Sequence, residues 1–202
     1  MNIKILLSIG LCLVGMTAPL VADNLSAREY ADKYFADFNT WQGDGLVYMY
    51  GRFDHGVPAS MQPDVLDRIF DRACSAQPKR NAIAIHQVLK YIEELHPEIT
   101  LSQRFDTNLS ALTKDQNYTT RRDTVEFMGR MNRGDHTLIA AALNDPKEDV
   151  RGAAINAIRG QPDAEATFQK FIQDHQNDPD YHTSVMYAKN GLDAIHAKAP
   201  GQ

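Results

Sequence analysis

Cysteine is nearly absent from this chain. Two are present, Cys12 and Cys74. Cys12 falls inside an apolar N-terminal stretch, so removal of that stretch leaves Cys74 alone and no internal disulfide to form. A disulfide-framed mini-domain is therefore excluded, and a packed core must hold the fold. A basic block is also missing: 21 Lys and Arg stand against 26 Asp and Glu, a formal charge of −5. Without a cationic cluster to displace counterions from phosphates, the sequence argues against nucleic acid as a partner. Beyond the N-terminus no apolar run reaches the roughly 20 residues that a membrane span needs. No GxSxG, HExxH, P-loop or GxGxxG pattern occurs, so common hydrolase, metalloprotease and nucleotide signatures are lacking. What the chain does have is length, since 202 residues suffice for one domain with a sizeable core.

The first 22 residues read as a removable export signal. Lys4 carries the positive charge, residues 5–16 are almost wholly apolar, and small residues lead to Ala22 before the charged Asp23. That order is a secretory leader, with cleavage near Ala22. Leu20 is larger than the residue preferred three before the cut, and Cys12 has no small residue before it, which argues against lipid anchoring. With no disulfide and mild acidity, the expected location is the bacterial periplasm or the outside of the cell.

Helical periodicity runs through most of the remainder. Ser26 to Glu29 forms a capping box before an aromatic stripe of Tyr30, Tyr34, Phe35 and Phe38. This predicts a capping helix. Residues 41–62 break the pattern with Gly43, Gly45, Gly51, Gly56 and Pro58. They predict an irregular loop, although a short strand or helical turn also fits. After it come a helix at 63–76 with Val65, Leu66, Ile69, Phe70 and Ala73, and one at 79–95 with Ile83, Ile85, Val88, Leu89, Ile92 and Leu95. A second pair spans 100–112 and 119–131. The third, 135–160, is the clearest. Asp135 is placed as N-cap, Leu138, Ile139, Ala142 and Leu143 make one stripe, and Asn144-Asp145-Pro146 ends it. Pro146 suits the first turn of the following helix, whose stripe is Val150, Ala153, Ala154, Ala157 and Ile158, with Gly160 as C-cap residue. Three alanines in that stripe allow another helix backbone to come close. Asp115 and Arg121 precede Asp145 and Arg151 by one period of 30 residues, and Asp178-Pro179 echoes Asp145-Pro146 before a last stripe of Val185, Ala188, Leu192 and Ile195.

Leu138, Leu143, Asp145-Pro146, Asp149-Val150-Arg151, Ala153-Ala154 and Ala157-Ile158 resemble a HEAT repeat, in the short form of phycobilisome-lyase-type HEAT-like proteins. The resemblance covers roughly residues 100–197 and is strongest at 135–160. It implies an all-α fold, a right-handed α-solenoid of stacked helical hairpins, with the irregular loop near the N-terminus. It also implies that Asp145 and Arg151 hold adjacent units together. The expected organisation is a signal peptide at 1–22, a capping helix and Gly/aromatic loop at 23–62, helical repeats at 63–197 and a tail at 198–202.

In such stacks the second helix of each pair lines the concave face. Residues of those helices that point away from the apolar stripes are the binding candidates: Arg122, Glu126 and Arg130, then Asn156 and Arg159, then Lys189 and Asp193. Trp41 and Tyr48 join them, because glycine and aromatics together make an adaptable contact surface. Mixed charge suits a protein partner. The expectation is thus a non-enzymatic, exported protein-binding scaffold without cofactor or metal. Immunity or inhibitor proteins and envelope assembly factors are both roles of that kind. The alternative is an exported enzyme with its site in the 41–62 loop, around Asp54 and His55. The loop holding His175, Asp178, Asp180 and His182 has no recognised metal-ligand spacing.

Overall fold

A computed structural model describes residues 25–39, 45–75 and 81–198, without the side chains of 45–49 and 198. Residues 1–24 (where the sequence predicts a leader), Trp41 and the residues from 199 onward lie outside these residues. The fold is all-α, and no strand occurs among the described residues. No helix among them is long and apolar enough to cross a membrane.

α1 (Ala27–Phe38) starts at the expected capping box, where the Ser26 amide donates to Glu29 Oε2 at 2.7 Å. It buries Tyr30, Ala31, Tyr34 and Phe38. Phe35 is only partly buried, under the guanidinium of Arg72 at 4.2 Å.

The loop expected at 41–62 is a helix over most of its length. α2 (Gly45–Gly56) leads through a 3₁₀ turn at Ala59–Met61 directly into α3. Each interior glycine costs a helix about 1 kcal/mol, which made the segment read as broken. Burial outweighs that cost. Tyr50, Phe53 and Val57 are at most 4% exposed, and the rings of Tyr50 and Phe53 each lie 5.2 Å from that of Tyr91.

α3 (Gln62–Ser75) buries the predicted Val65, Leu66, Ile69, Phe70 and Ala73. α4 (Ala82–Leu95) is capped by Asn81, whose side chain accepts from the Ala84 amide at 3.1 Å. Two apolar positions expected on its inner face differ: Ile83 is 41% exposed and Leu95 46%. Gln87 and Tyr91 are buried instead, because the Tyr50 hydroxyl gives Gln87 Oε1 a hydrogen bond at 2.8 Å.

α5 (Gln103–Leu112) and α6 (Tyr118–Arg130), the second predicted pair, bury Phe105, Leu109, Leu112, Val125, Phe127 and Met128. Asp135 caps α7 (His136–Ala141), accepting from the Thr137 amide at 2.8 Å. α7 tightens into a 3₁₀ turn at Ala142–Asn144. α8 (Glu148–Ile158) begins two residues beyond Pro146, not on it, since Asp145 is extended and Lys147 is the N-cap. Nor is Gly160 a left-handed C-cap. Among the described residues the glycine with positive φ is Gly134, at 86°, in the turn before Asp135. α9 (Ala164–His175) was not marked by the sequence pattern; it buries Ala164, Phe168 and Phe171. α10 (His182–Lys198) ends the described chain, burying Val185 and Ala188.

The even-numbered helices pack in chain order, α4 on α6, α6 on α8 and α8 on α10, while α1 packs on α3 and α3 on α5. The closest pair is α6 with α8. A Cβ added at Gly129 would run into both Cβ and Cα of Ala157. Glycine facing alanine is what lets these two backbones approach.

Three turns repeat the same local chemistry. Asp115, Asp145 and Asp178 each accept at Oδ1 from the amide two residues on, at 2.8, 2.8 and 3.0 Å. These Asx turns close the loops before α6, before α8 and before the 3₁₀ turn leading to α10. From within the helix an arginine reaches back to the loop: Arg121 Nη1 donates to Asp115 O at 2.7 Å, and Arg151 Nη1 to Asp145 O at 2.9 Å. Both arginines also reach forward. Arg121 grips the Asp145 carboxylate through Nε at 2.6 Å and Nη2 at 2.8 Å. Arg151, 4% exposed, donates to Ser184 Oγ at 2.8 Å and to Asp180 O at 2.7 Å.

Candidate binding groove across three helices

Packing α6, α8 and α10 side by side leaves a groove of ≈ 390 Å³ along their outward faces. α6 contributes Arg122 and Glu126, one turn apart. α8 contributes Glu148, Asp149, Gly152, Ala153 and Asn156, and α10 contributes Tyr187. The spacing 149, 152, 153, 156 is one face of a helix, and it is the face opposite Val150, Ile155 and Ile158 in the core. Small residues form its floor because Gly152 and Ala153 occupy that face where α8 leaves the α6 contact.

Behind the α6 wall lies a buried ion cluster. Asp123 is 8% exposed. Its Oδ2 is 2.6 Å from His86 Nδ1 on α4, and its Oδ1 accepts from Arg122 at 2.9 and 2.7 Å. Burial pushes the Asp123 carboxyl up, but the hydrogen bonds and charges of His86 and Arg122 outweigh it and hold the group below the usual carboxylate range. Arg122 is correspondingly raised, chiefly by its bond to Asp123. Two turns on, Arg130 is tied to both Glu93 of α4 and Glu126.

Of the residues singled out in sequence, Arg122, Glu126 and Asn156 come together in this groove. Arg130 stands beside it, committed to its two carboxylates. Arg159, Lys189 and Asp193 are exposed but do not line it. Tyr48 sits on α2. Sequence reasoning missed Glu148, Asp149, Gly152 and Tyr187. The one available signal was Tyr187, a large aromatic out of register with the Val185, Ala188, Leu192 stripe.

Asp54 and His55 separate. His55 is exposed on α2, whereas Asp54 accepts from the Tyr91 hydroxyl and lies 3.1 Å from His96 Nε2. The other His96 nitrogen is 3.9 Å from Glu98. Burial raises the Tyr91 hydroxyl pKa, and the Asp54 carboxylate adds to that. His96 thus faces a carboxylate on each side. In the 175–182 loop, His175 stacks on Tyr181 with centroids 4.0 Å apart and meets Asn144 Oδ1 at 2.8 Å. No cluster of three or more metal-ligating side chains occurs among the described residues.

A second crevice, ≈ 430 Å³, lies between α1, α3 and α5. Arg72 pairs with Asp32 at 2.8 Å across it, and Arg104 grips both oxygens of Asp71 at 2.8 Å. Asp67 there is raised by burial, although its Oδ2 accepts from the Ser102 amide at 3.0 Å. Its charges largely serve to join the three helices.

Comparison with protein-family models, with curated proteins and with solved structures finds no match to this chain.

Proposed function

We propose that this chain is an exported, non-enzymatic scaffold that binds another protein in the bacterial periplasm, as an immunity or inhibitor protein or as an envelope assembly factor. Its repeats form a short HEAT-like right-handed solenoid, and the groove over α6, α8 and α10 is the binding face. The observation that carries this reading is the groove itself. It runs over consecutive second helices and it gathers Arg122, Glu126, Asn156 and the exposed Tyr187. Mixed charge around an aromatic suits a protein surface. The recurring Asx turns and forward-reaching arginines support the repeat architecture, as each ties one unit to the next.

The test is photocrosslinking from position 156. Asn156 is replaced by a benzoyl-phenylalanine in cells of the native host, with an exposed control at Lys189. A single protein crosslinked from 156 and recovered by osmotic shock is the expected result. No specific adduct from 156, or adducts found only with cytoplasmic proteins, would sink the proposal. Mature chains beginning near Asp23 by mass spectrometry test the export half separately.

One observation favours a second reading, an exported enzyme: Asp54 is engaged with His96 and Tyr91. The reading is weaker because the Tyr91 hydroxyl is committed to Asp54 and, with its pKa raised by burial, stays protonated. Loss of a turnover in His96→Asn or His55→Ala without loss of melting temperature would revive it.

A further inference from the structure

The charges around the α6–α8–α10 groove do not cancel evenly. On the α6 wall, Arg122 is held by Asp123, and Glu126 by Arg130. On the α8 wall, Glu148 and Asp149 are exposed and make no direct hydrogen bond or ion pair among the described residues; only the longer-range charge of Arg122 acts on Asp149. The cations nearest in chain are engaged elsewhere. Lys147 lies over the Tyr118 ring at 5.8 Å, and Arg151 is buried against Ser184 and the Tyr181 ring at 4.5 Å. The same groove is lined by Tyr187 of α10, 43% exposed, an aromatic that no core contact requires at that position. Gly152 also lines the groove, and an added Cβ there would meet nothing within 4 Å.

Two exposed carboxylates without a direct hydrogen-bond partner, an open aromatic face and open space over Gly152, all lining one groove, make a seat for a flat or flexible cation. An ammonium or guanidinium gains from a ring face and from carboxylates at the same time. We propose that the groove receives a lysine- or arginine-bearing segment of the partner protein, its cation seated between Tyr187 and the Glu148 and Asp149 carboxylates. This rests on the reading of the groove as the binding face and names the chemistry of its occupant. An acidic or purely apolar segment would leave both carboxylates facing like charge or stripped of water.

The probe is a blocked tetra-arginine peptide, with a blocked tetra-glutamate peptide as control, titrated into the isotope-labelled mature protein and followed by amide shifts. Saturable shifts centred on Gly152, Asn156 and Tyr187 with tetra-arginine alone are expected. Raising salt should weaken them, because exposed charges are screened beyond about 10 Å at 0.1 M ionic strength. Glu148→Gln with Asp149→Gln should weaken binding about tenfold, a loss of about 1.4 kcal/mol. Gly152→Leu is the sharper variant. It adds bulk only to open space on a helix that prefers leucine to glycine, so the melting temperature should hold or rise while binding is lost. Shifts centred on the Asp64–Asp71 crevice, equal response to tetra-glutamate, or binding unchanged in the folded Gly152→Leu variant would each overturn the proposal. A partner crosslinked from position 156 through a segment without lysine or arginine would overturn it too, and would leave the scaffold reading intact.

Discussion

Replacing Arg121 with methionine cuts the link between two units while keeping most of the side-chain stem. The native guanidinium donates to the Asp145 carboxylate at 2.6 and 2.8 Å and to the carbonyls of Asp115 and Gln116 at 2.7 and 3.2 Å. The two side chains are 12% and 9% exposed. Methionine removes every one of those donors and leaves the Asp145 carboxylate with the Lys147 amide as its remaining hydrogen bond. Breaking a buried pair by deleting one partner costs about 3–5 kcal/mol, and a rung that still touches water belongs at the lower end, about 3 kcal/mol. Urea unfolding at pH 7, followed by circular dichroism, measures it. With a slope of about 2 kcal/mol/M the midpoint should fall by about 1.5 M. Asp145→Asn should cost less, since its amide oxygen still accepts from Lys147. The double variant should show a coupling of about 1–3 kcal/mol.

Acid adds a second readout on the same pair. Burial pushes the Asp145 carboxyl up, but the Arg121 bonds, the Lys147 amide and the neighbouring guanidinium charges outweigh it, so its pKa is lowered. A carboxyl depressed in the folded state stabilises fully above its unfolded pKa and loses that contribution as pH falls through the folded one. The gap between native protein and Arg121→Met should therefore stay flat from pH 7 to about 5 and close below about pH 4. A cost under about 1 kcal/mol, or no coupling in the double variant, would refute the claim that this rung joins the units.

Gly129→Ala places a methyl on the Ala157 backbone and should lower stability by about 1–3 kcal/mol, as overpacking does. Adding Ala157→Gly should return part of that loss in a thermal melt, and a fully tolerated Gly129→Ala would mean that α6 and α8 are not in such close contact. Leu143, 3% exposed between α7 and α8, should cost about 2–5 kcal/mol when cut to alanine. Ile83→Ala should stay within about 0.5 kcal/mol because the residue is 41% exposed; equal losses at the two sites would invert the assigned faces.

Apolar spacing carried most of the helices. Val65 to Ala73, Phe105 to Leu112 and Val150 to Ile158 keep one face of a helix inward, and period-3.6 patterns report that directly. It failed at α2, where glycine's local cost was visible and the compensating aromatic packing against Phe38 and Tyr91 was not. In α4 the phase was right at Ile85, Val88, Leu89 and Ile92, while Ile83 and Leu95 fall outside the buried face, which carries the polar Gln87. The period also revealed that Asp145 and Arg151 belong to one motif. It could not reveal that the carboxylate of Asp145 is held by Arg121 of the preceding unit, since a repeat gives the interval and not the direction of reach. Three of the nominated surface residues share the groove. The rest of its lining stayed hidden because Gly152 and Asp149 are ordinary helix-surface residues until α10 sets Tyr187 opposite them.

The forward reach of Arg121 bears on how such a chain can lengthen. Asp115 already makes the same Asx turn as Asp145. Were residues 115–144 duplicated in tandem, the original arginine would meet the aspartate of the new copy, and the copy's arginine would meet Asp145. Every junction would come supplied with its own donor and acceptor. Gene duplication could then add a module, and with it a further stretch of groove, without inventing a new joint.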